Sequence, residues 1–279
     1  MKKANVKLGG LVSLFLLAVV ATSCGDDTVD PPAPPAVVKE WSIPLSTKNE
    51  SPAIANRNET GTASLQLLSD NSLKYTINVS GLASGDALVA AHIHTGDVIT
   101  NGGVILDMKP TFAAGTSSGT VASLRTSLVD SLKNDVNELY FNVHSTQVGS
   151  GLLRGQLNTK LEMTADVAMN GANEVPTAVT TSATGIALLR LTTNKKLYAK
   201  VTISNLETSD VMNAAHIHTG AAGVNGPVYI GIYSSTAEFG TVKVLTVTDA
   251  QLAVLKTDAL YVNAHSTAKP GGVVRGQIR

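Results

Sequence analysis

The sequence predicts an all-β protein: two tandem antiparallel Greek-key β-sandwich domains, each with a short helical segment, behind a signal peptide and a disordered tether. Three observations lead there. Short stretches alternate apolar and polar side chains between turn-forming Ser, Asp, Asn and Gly, as half-buried strands do. The chain repeats itself: Glu50, Pro52, Gly61, Leu73 and Leu82 recur 124 residues later as Glu174, Pro176, Gly185, Leu197 and Leu206. Each unit, at about 120 residues, has the length of a domain rather than of a solenoid repeat.

The elements follow in chain order. "TASLQLLSDNSLKYTINVSGL" alternates around the turn "SDNS", and "GIALLRLTTNKKLYAKVTISNL" repeats that hairpin around "TTNKK". "ELYFNVHS" and "ALYVNAHS" are short strands rich in β-branched and aromatic residues, and "LLRGQL" and "VVRGQI" close each unit as a further strand. Helical turns are expected at "SLVDSLKN" and "TVTDAQLAVLK", the second capped by Thr248 ahead of Gln251. Late in the units the offset falls to 121, taking Tyr140 to Tyr261 and His144 to His265. The expected boundaries are 1–23, 24–38, 39–160 and 161–279.

The first segment, "MKKANVKLGGLVSLFLLAVVATSC", has a basic start, an apolar stretch and small residues before Cys24, the layout of a secretory signal. Its apolar run is shorter than the ~20 residues a spanning helix needs. Ala21-Thr22-Ser23-Cys24 resembles a lipobox, which makes Cys24, the chain's single cysteine, the expected lipidation site and membrane anchor. "GDDTVDPPAPPAVV" reads as a Pro/Asp tether, and Asp26-Asp27 resembles the export signal of surface lipoproteins. The expected location is the cell envelope, lipid-anchored, at the outer membrane and surface-exposed.

Without the first 23 residues the chain carries 18 basic and 21 acidic side chains, net −3, and aromatics make up 4% of the whole. Neither a basic patch nor a stacking platform builds up, so nucleic acid is not an expected partner. There is no P-loop or HExxH.

All six histidines fall in repeated phrases: "AAHIHTG" at Ala90–Gly96 and Ala214–Gly220, then "NVHST" and "NAHST" around His144 and His265. On a strand, side chains two apart share a face, so His92 projects with His94, and His216 with His218. If the later strand lies alongside, His144 and His265 complete triads suited to copper or zinc, one ion per domain, with a position open. The alternative is a structural role, with Asn142 and Asn263 on the same face as partners. Arg154 and Arg275 read as carbonyl-capping or ion-paired guanidinium groups, with anion binding as the alternative. Ser145 and Ser266 point away from the adjacent histidines and make poor nucleophiles. Trp41, replaced by Ala165 in the second unit, reads as core or an edge plug.

"AHIHTG", then "NGGVILDM" or "NGPVYIGIY", then "LYFNVHST…GLLRGQL" or "LYVNAHSTAKPGGVVRGQI" together resemble the CHRD (chordin-type) domain, in two copies spanning nearly the whole mature chain. The resemblance implies a domain type and no established activity. More distantly, the HxH and later histidine resemble the copper site of copper/zinc superoxide dismutase. No histidine remains for a zinc site or a bridging ligand, and the position of that enzyme's anion-steering arginine holds Gly151 and Gly272. Three functions follow as expectations: a metal-holding binding module; an adhesion protein for an extracellular protein or matrix ligand, with structural histidines; and, third, a copper-dependent redox enzyme.

Overall fold

The chain is described from a computed structural model covering residues 33–279; the segment read as a signal peptide, Cys24 and most of the stretch read as tether lie outside the described residues. The first copy comprises β1 (Val37–Ser46), β2 (Thr60–Leu68), β3 (Leu73–Ser80), β4 (Leu88–Thr95), β5 (Val104–Asp107), β6 (Thr116–Val121), α1 (Thr126–Lys133), β7 (Leu139–Ser145) and β8 (Leu153–Gln156). The second comprises β9 (Leu161–Asn170), β10 (Thr184–Thr192), β11 (Lys196–Ser204), β12 (Met212–Thr219), β13 (Val228–Tyr233), β14 (Lys243–Thr246), α2 (Asp249–Thr257), β15 (Leu260–Ser266) and β16 (Val274–Gln277). Strand β1 starts inside the stretch read as tether, because Ala36 and Ser69 exchange hydrogen bonds that extend the β1–β2 ladder.

Each copy is an eight-stranded antiparallel sheet folded into two layers, in the order β5-β4-β7-β8-β1-β2-β3-β6 and its equivalent β13-β12-β15-β16-β9-β10-β11-β14. The layers are joined through a single residue pair, Ser46 with Arg154 and Asn170 with Arg275. The chain crosses between layers from β3 to β4, from β5 to β6, and back through α1 from β6 to β7, which gives the Greek-key connectivity the sequence predicts. Alternation does its expected work in β3, where Leu73, Tyr75, Ile77 and Val79 point inward and their neighbours outward. Trp41 is core, with its indole N–H donating to Asn158 Oδ1 at 3.1 Å. The capping box at Thr248 and Gln251 forms as expected.

Strand β7 departs from alternation: all seven residues are buried. Leu139, Phe141 and Val143 belong to the core. The outward set, Tyr140, Asn142 and His144, is covered by the turn after β1 and the loops that follow β4 and β7. That covered outer face carries the histidines.

From Ala187 onward strand β10 is buried on both faces for a different reason: its outward side packs on the first copy. Leu188 and Tyr198 meet Val98 and Ile99 in a small apolar cluster, and Tyr198 donates to Glu138 Oε1 at 2.7 Å. Arg190, fully buried, donates to the Glu50 carbonyl at 2.6 Å and pairs with Asp166 at 2.5 Å. Asp166 in turn accepts from Ala53 N at 2.6 Å. Residues 35–279 thus form one compact unit. Among the described residues no helix is long and apolar enough to cross a membrane.

Candidate metal centre

Register decides which side chains meet. β4 pairs with β7 so that His92 lies opposite Asn142 and His94 opposite Tyr140, while β12 and β15 repeat this with Asn263 and Tyr261. His144 stands two residues beyond Asn142 and therefore on the same face. The three imidazoles of each copy converge, with one ring nitrogen from each within 4.8 Å of the others.

Hydrogen bonds define which nitrogens face inward. His94 Nδ1 lies 3.1 Å from the Gly102 carbonyl and His144 Nδ1 lies 3.0 Å from that of Gly149. A carbonyl only accepts, so both Nδ1 atoms carry the hydrogen and both Nε2 atoms keep a lone pair. In the second copy Gly226 and Pro270 supply the same carbonyls, to His218 at 3.1 Å and His265 at 3.0 Å. The third ring enters through its other nitrogen: His92 Nδ1 is 2.9 Å from His144 Nε2, and His216 Nδ1 is 3.2 Å from His265 Nε2. Buried His94 Nε2 and His218 Nε2 have no hydrogen-bond partner.

This donor set fits a metal ion. Ligand nitrogens at ~2.0–2.1 Å from a tetrahedral metal stand roughly 3.3 Å apart, close to the separations of the bonded pairs here. Desolvation by burial, before any other cause, lowers the pKa of His94, His144, His216, His218 and His265 and so favours the neutral form that ligation requires. Imidazole nitrogen suits zinc and copper.

Supporting residues fix the rings. His94 stacks on Tyr140 at 4.8 Å, and the Arg154 guanidinium lies 3.6 Å from the centre of the Tyr140 ring. His218, Tyr261 and Arg275 form the same column, with distances of 4.8 and 3.4 Å. Arg154 donates to Asn101 Oδ1 at 2.7 Å and to the carbonyls of Asp97 and Thr100; Arg275 does the same with Asn225, Ala221 and Val224. Both guanidinium groups thus hold the loop behind the HxH strand. Ser145 and Thr146 donate to Asp86 at 2.8 and 2.9 Å, as Ser266 and Thr267 do to Asp210 at 2.6 and 2.9 Å. The repeated "HST" therefore ties down the loop whose carbonyl, Gly149 or Pro270, orients the third histidine.

The sequence reading missed two acids. Glu50 and Glu174 are buried, and accept from Asn142 and Asn263, each at 3.0 Å. Desolvation, only partly offset by nearby guanidinium charge and the asparagine bond, pushes both carboxyls up to about 7. Glu50, Asn142, Tyr140 and His94 line one cleft of about 440 Å³. The signal was present in the repeat itself, since the offset that aligns the HxH phrases also carries Glu50 onto Glu174. Gly151 and Gly272, at φ of +130° and +133°, pass so close to these asparagines that a Cβ would stand 2.5 and 2.6 Å from Asn142 Oδ1 and Asn263 Oδ1. A side chain there would have to displace the asparagine amide and adopt positive φ, so glycine suits the position that the dismutase gives to its arginine.

The family model of the CHRD domain matches the sequence twice, over residues 41–157 and 165–278. No curated protein and no solved structure matches. The two matched segments together take in both folded copies and both histidine triads, and the chain belongs to the CHRD domain family as two tandem copies.

Proposed function

We propose that the protein is a lipid-anchored binding module of the cell envelope, tethered through Cys24, in which each CHRD domain holds one copper or zinc ion through His92, His94 and His144 or through His216, His218 and His265. One observation carries the reading: in both copies backbone carbonyls turn the Nε2 lone pairs of two histidines toward a third ring, and a buried nitrogen (His94 or His218 Nε2) is left without a partner. Leaving such an atom unsatisfied costs about 1–3 kcal/mol, a cost that a bound cation removes. The acidic mature chain and the Pro/Asp tether suit an exposed envelope location, with an extracellular protein or matrix component as the partner.

A second reading, in which the histidines only brace the fold and the tandem domains serve adhesion, draws on the direct bonds between His92 and His144 and between His216 and His265. Elemental analysis separates the two. The chain from Gly25 onward is exposed to copper and zinc and passed through gel filtration. Two retained equivalents of one metal, falling to one when His216 and His218 are replaced by alanine, are expected. No retained metal in a folded sample refutes the metal reading and leaves the bracing role.

A further inference from the structure

We infer that the two metal sites are unequal, the first copy holding its ion more tightly because Asp107 serves His92 as a carboxylate partner that the second copy lacks. The inference rests on the metal reading above and adds a residue to it. In the first copy each imidazole has an acceptor near its outward nitrogen. Gly102 and Gly149 serve His94 and His144, and Asp107 Oδ1 stands 3.6 Å from His92 Nε2. In the second copy the two carbonyls recur, but the residue opposite His216 on β13 is Gly231, where β5 places Asp107 opposite His92. Among the described residues nothing is hydrogen-bonded to His216 Nε2.

The difference acts on the metal-bound state selectively. Without an ion, His92 Nδ1 donates its hydrogen to His144 Nε2, whose own Nδ1 is committed to Gly149. An ion taken by His92 Nδ1 needs that nitrogen's lone pair, so the ring hydrogen must sit on Nε2. Asp107 offers that N–H an anionic acceptor; beside His216 only solvent does. A carboxylate behind a ligating histidine fixes its tautomer and orientation and raises its basicity, and removing such partners typically costs ~10–100-fold in metal affinity. Asp107 is half exposed and a few tenths of an ångström beyond hydrogen-bond length, which puts the expected effect near the lower end, about tenfold.

The groups that touch the rings, and those one step behind them, are matched, although in the first copy Arg57 also pairs with Asp86 and Arg190 also bonds the Glu50 carbonyl. The stacked tyrosine and its guanidinium, the two carbonyls, the buried glutamate with its asparagine, and the Asp86 or Asp210 anchor occur in both. The reciprocal change is sterically open, because a Cβ at Gly231 meets nothing within 4 Å and its φ is unexceptional.

The test uses the chain from Gly25 onward, titrated with zinc or copper against a competing chelator, in two forms. One has His216 and His218 replaced by alanine and reports the first site; the other has His92 and His94 replaced and reports the second. The first site is expected to bind about tenfold tighter. Asp107→Ala should bring it down to the level of the second, and Gly231→Asp should bring the second up. Equal affinities in the two forms, unmoved by either substitution, overturn the inequality while leaving the metal reading intact. No binding in either folded form overturns both.

Discussion

Replacing Glu50 by glutamine removes a buried acid and should change how stability depends on pH. The carboxyl is pushed from 4.5 to about 7, chiefly by desolvation against the opposing pull of Arg154, Asn142 and Arg190. The folded state therefore binds this proton more tightly than the unfolded chain does. Its contribution to stability is complete below pH 4.5 and is lost as pH rises through 7. A shift of that size, at 1.36 kcal/mol per unit, corresponds to about 3 kcal/mol. The buried histidines act in the opposite sense: their depressed pKa values cost stability as pH falls below 6.5, but they do so in both proteins and cancel in the comparison. The assay is urea unfolding at several pH values between 5 and 8, in chelator, followed by the fluorescence of Trp41, the chain's single tryptophan, in the first copy's core. The stability of Glu50→Gln minus that of the native chain should rise across this range by up to about 3 kcal/mol. The slope is the observable, since the amide's own hydrogen bonds set the offset. A difference that stays constant with pH would show that Glu50 ionises in its ordinary range and refute the burial argument.

Two further perturbations test how the site is held. Gly151→Ala forces a side chain into positive φ and onto Asn142, at a cost of roughly 1–3 kcal/mol. Tm should fall by at least about 2 °C, and an unchanged melting curve would mean that the loop simply moves aside. Arg190→Ala strips the partner from the Asp166 carboxylate and the Glu50 carbonyl between the two copies, and a broken buried pair costs about 3–5 kcal/mol. The loss should appear in urea unfolding of the whole chain; an effect confined to a few tenths of a kcal/mol would show that the copies do not depend on this contact.

Much was legible before any fold was known. Alternation names the strands of the β2–β3 hairpin, and the threonine three residues before a glutamine marks the start of α2. Repetition groups the six histidines into two sets. Each of these is a short-range regularity that backbone geometry imposes on sequence. The packing of one copy on the other was written less openly, in the residues that differ: Ser64, Gln66 and Lys74 of the first copy correspond to Leu188, Arg190 and Tyr198, which form the contact.

By itself the sequence determined the fold class, the duplication and the grouping of the histidines, because periodicity and repetition are local properties of the chain. Only the tertiary structure decided which ring nitrogens face one another, that Arg154 and Arg275 spend their donors on loop carbonyls, and that Glu50 and Glu174 lie beneath the asparagines. It also decided that Asp107 stands behind one histidine where the second copy has Gly231. These facts depend on strand register and on loops closing over the outer face of a sheet. Most of these contacts join residues fifty to ninety positions apart, where no local pattern records that they meet.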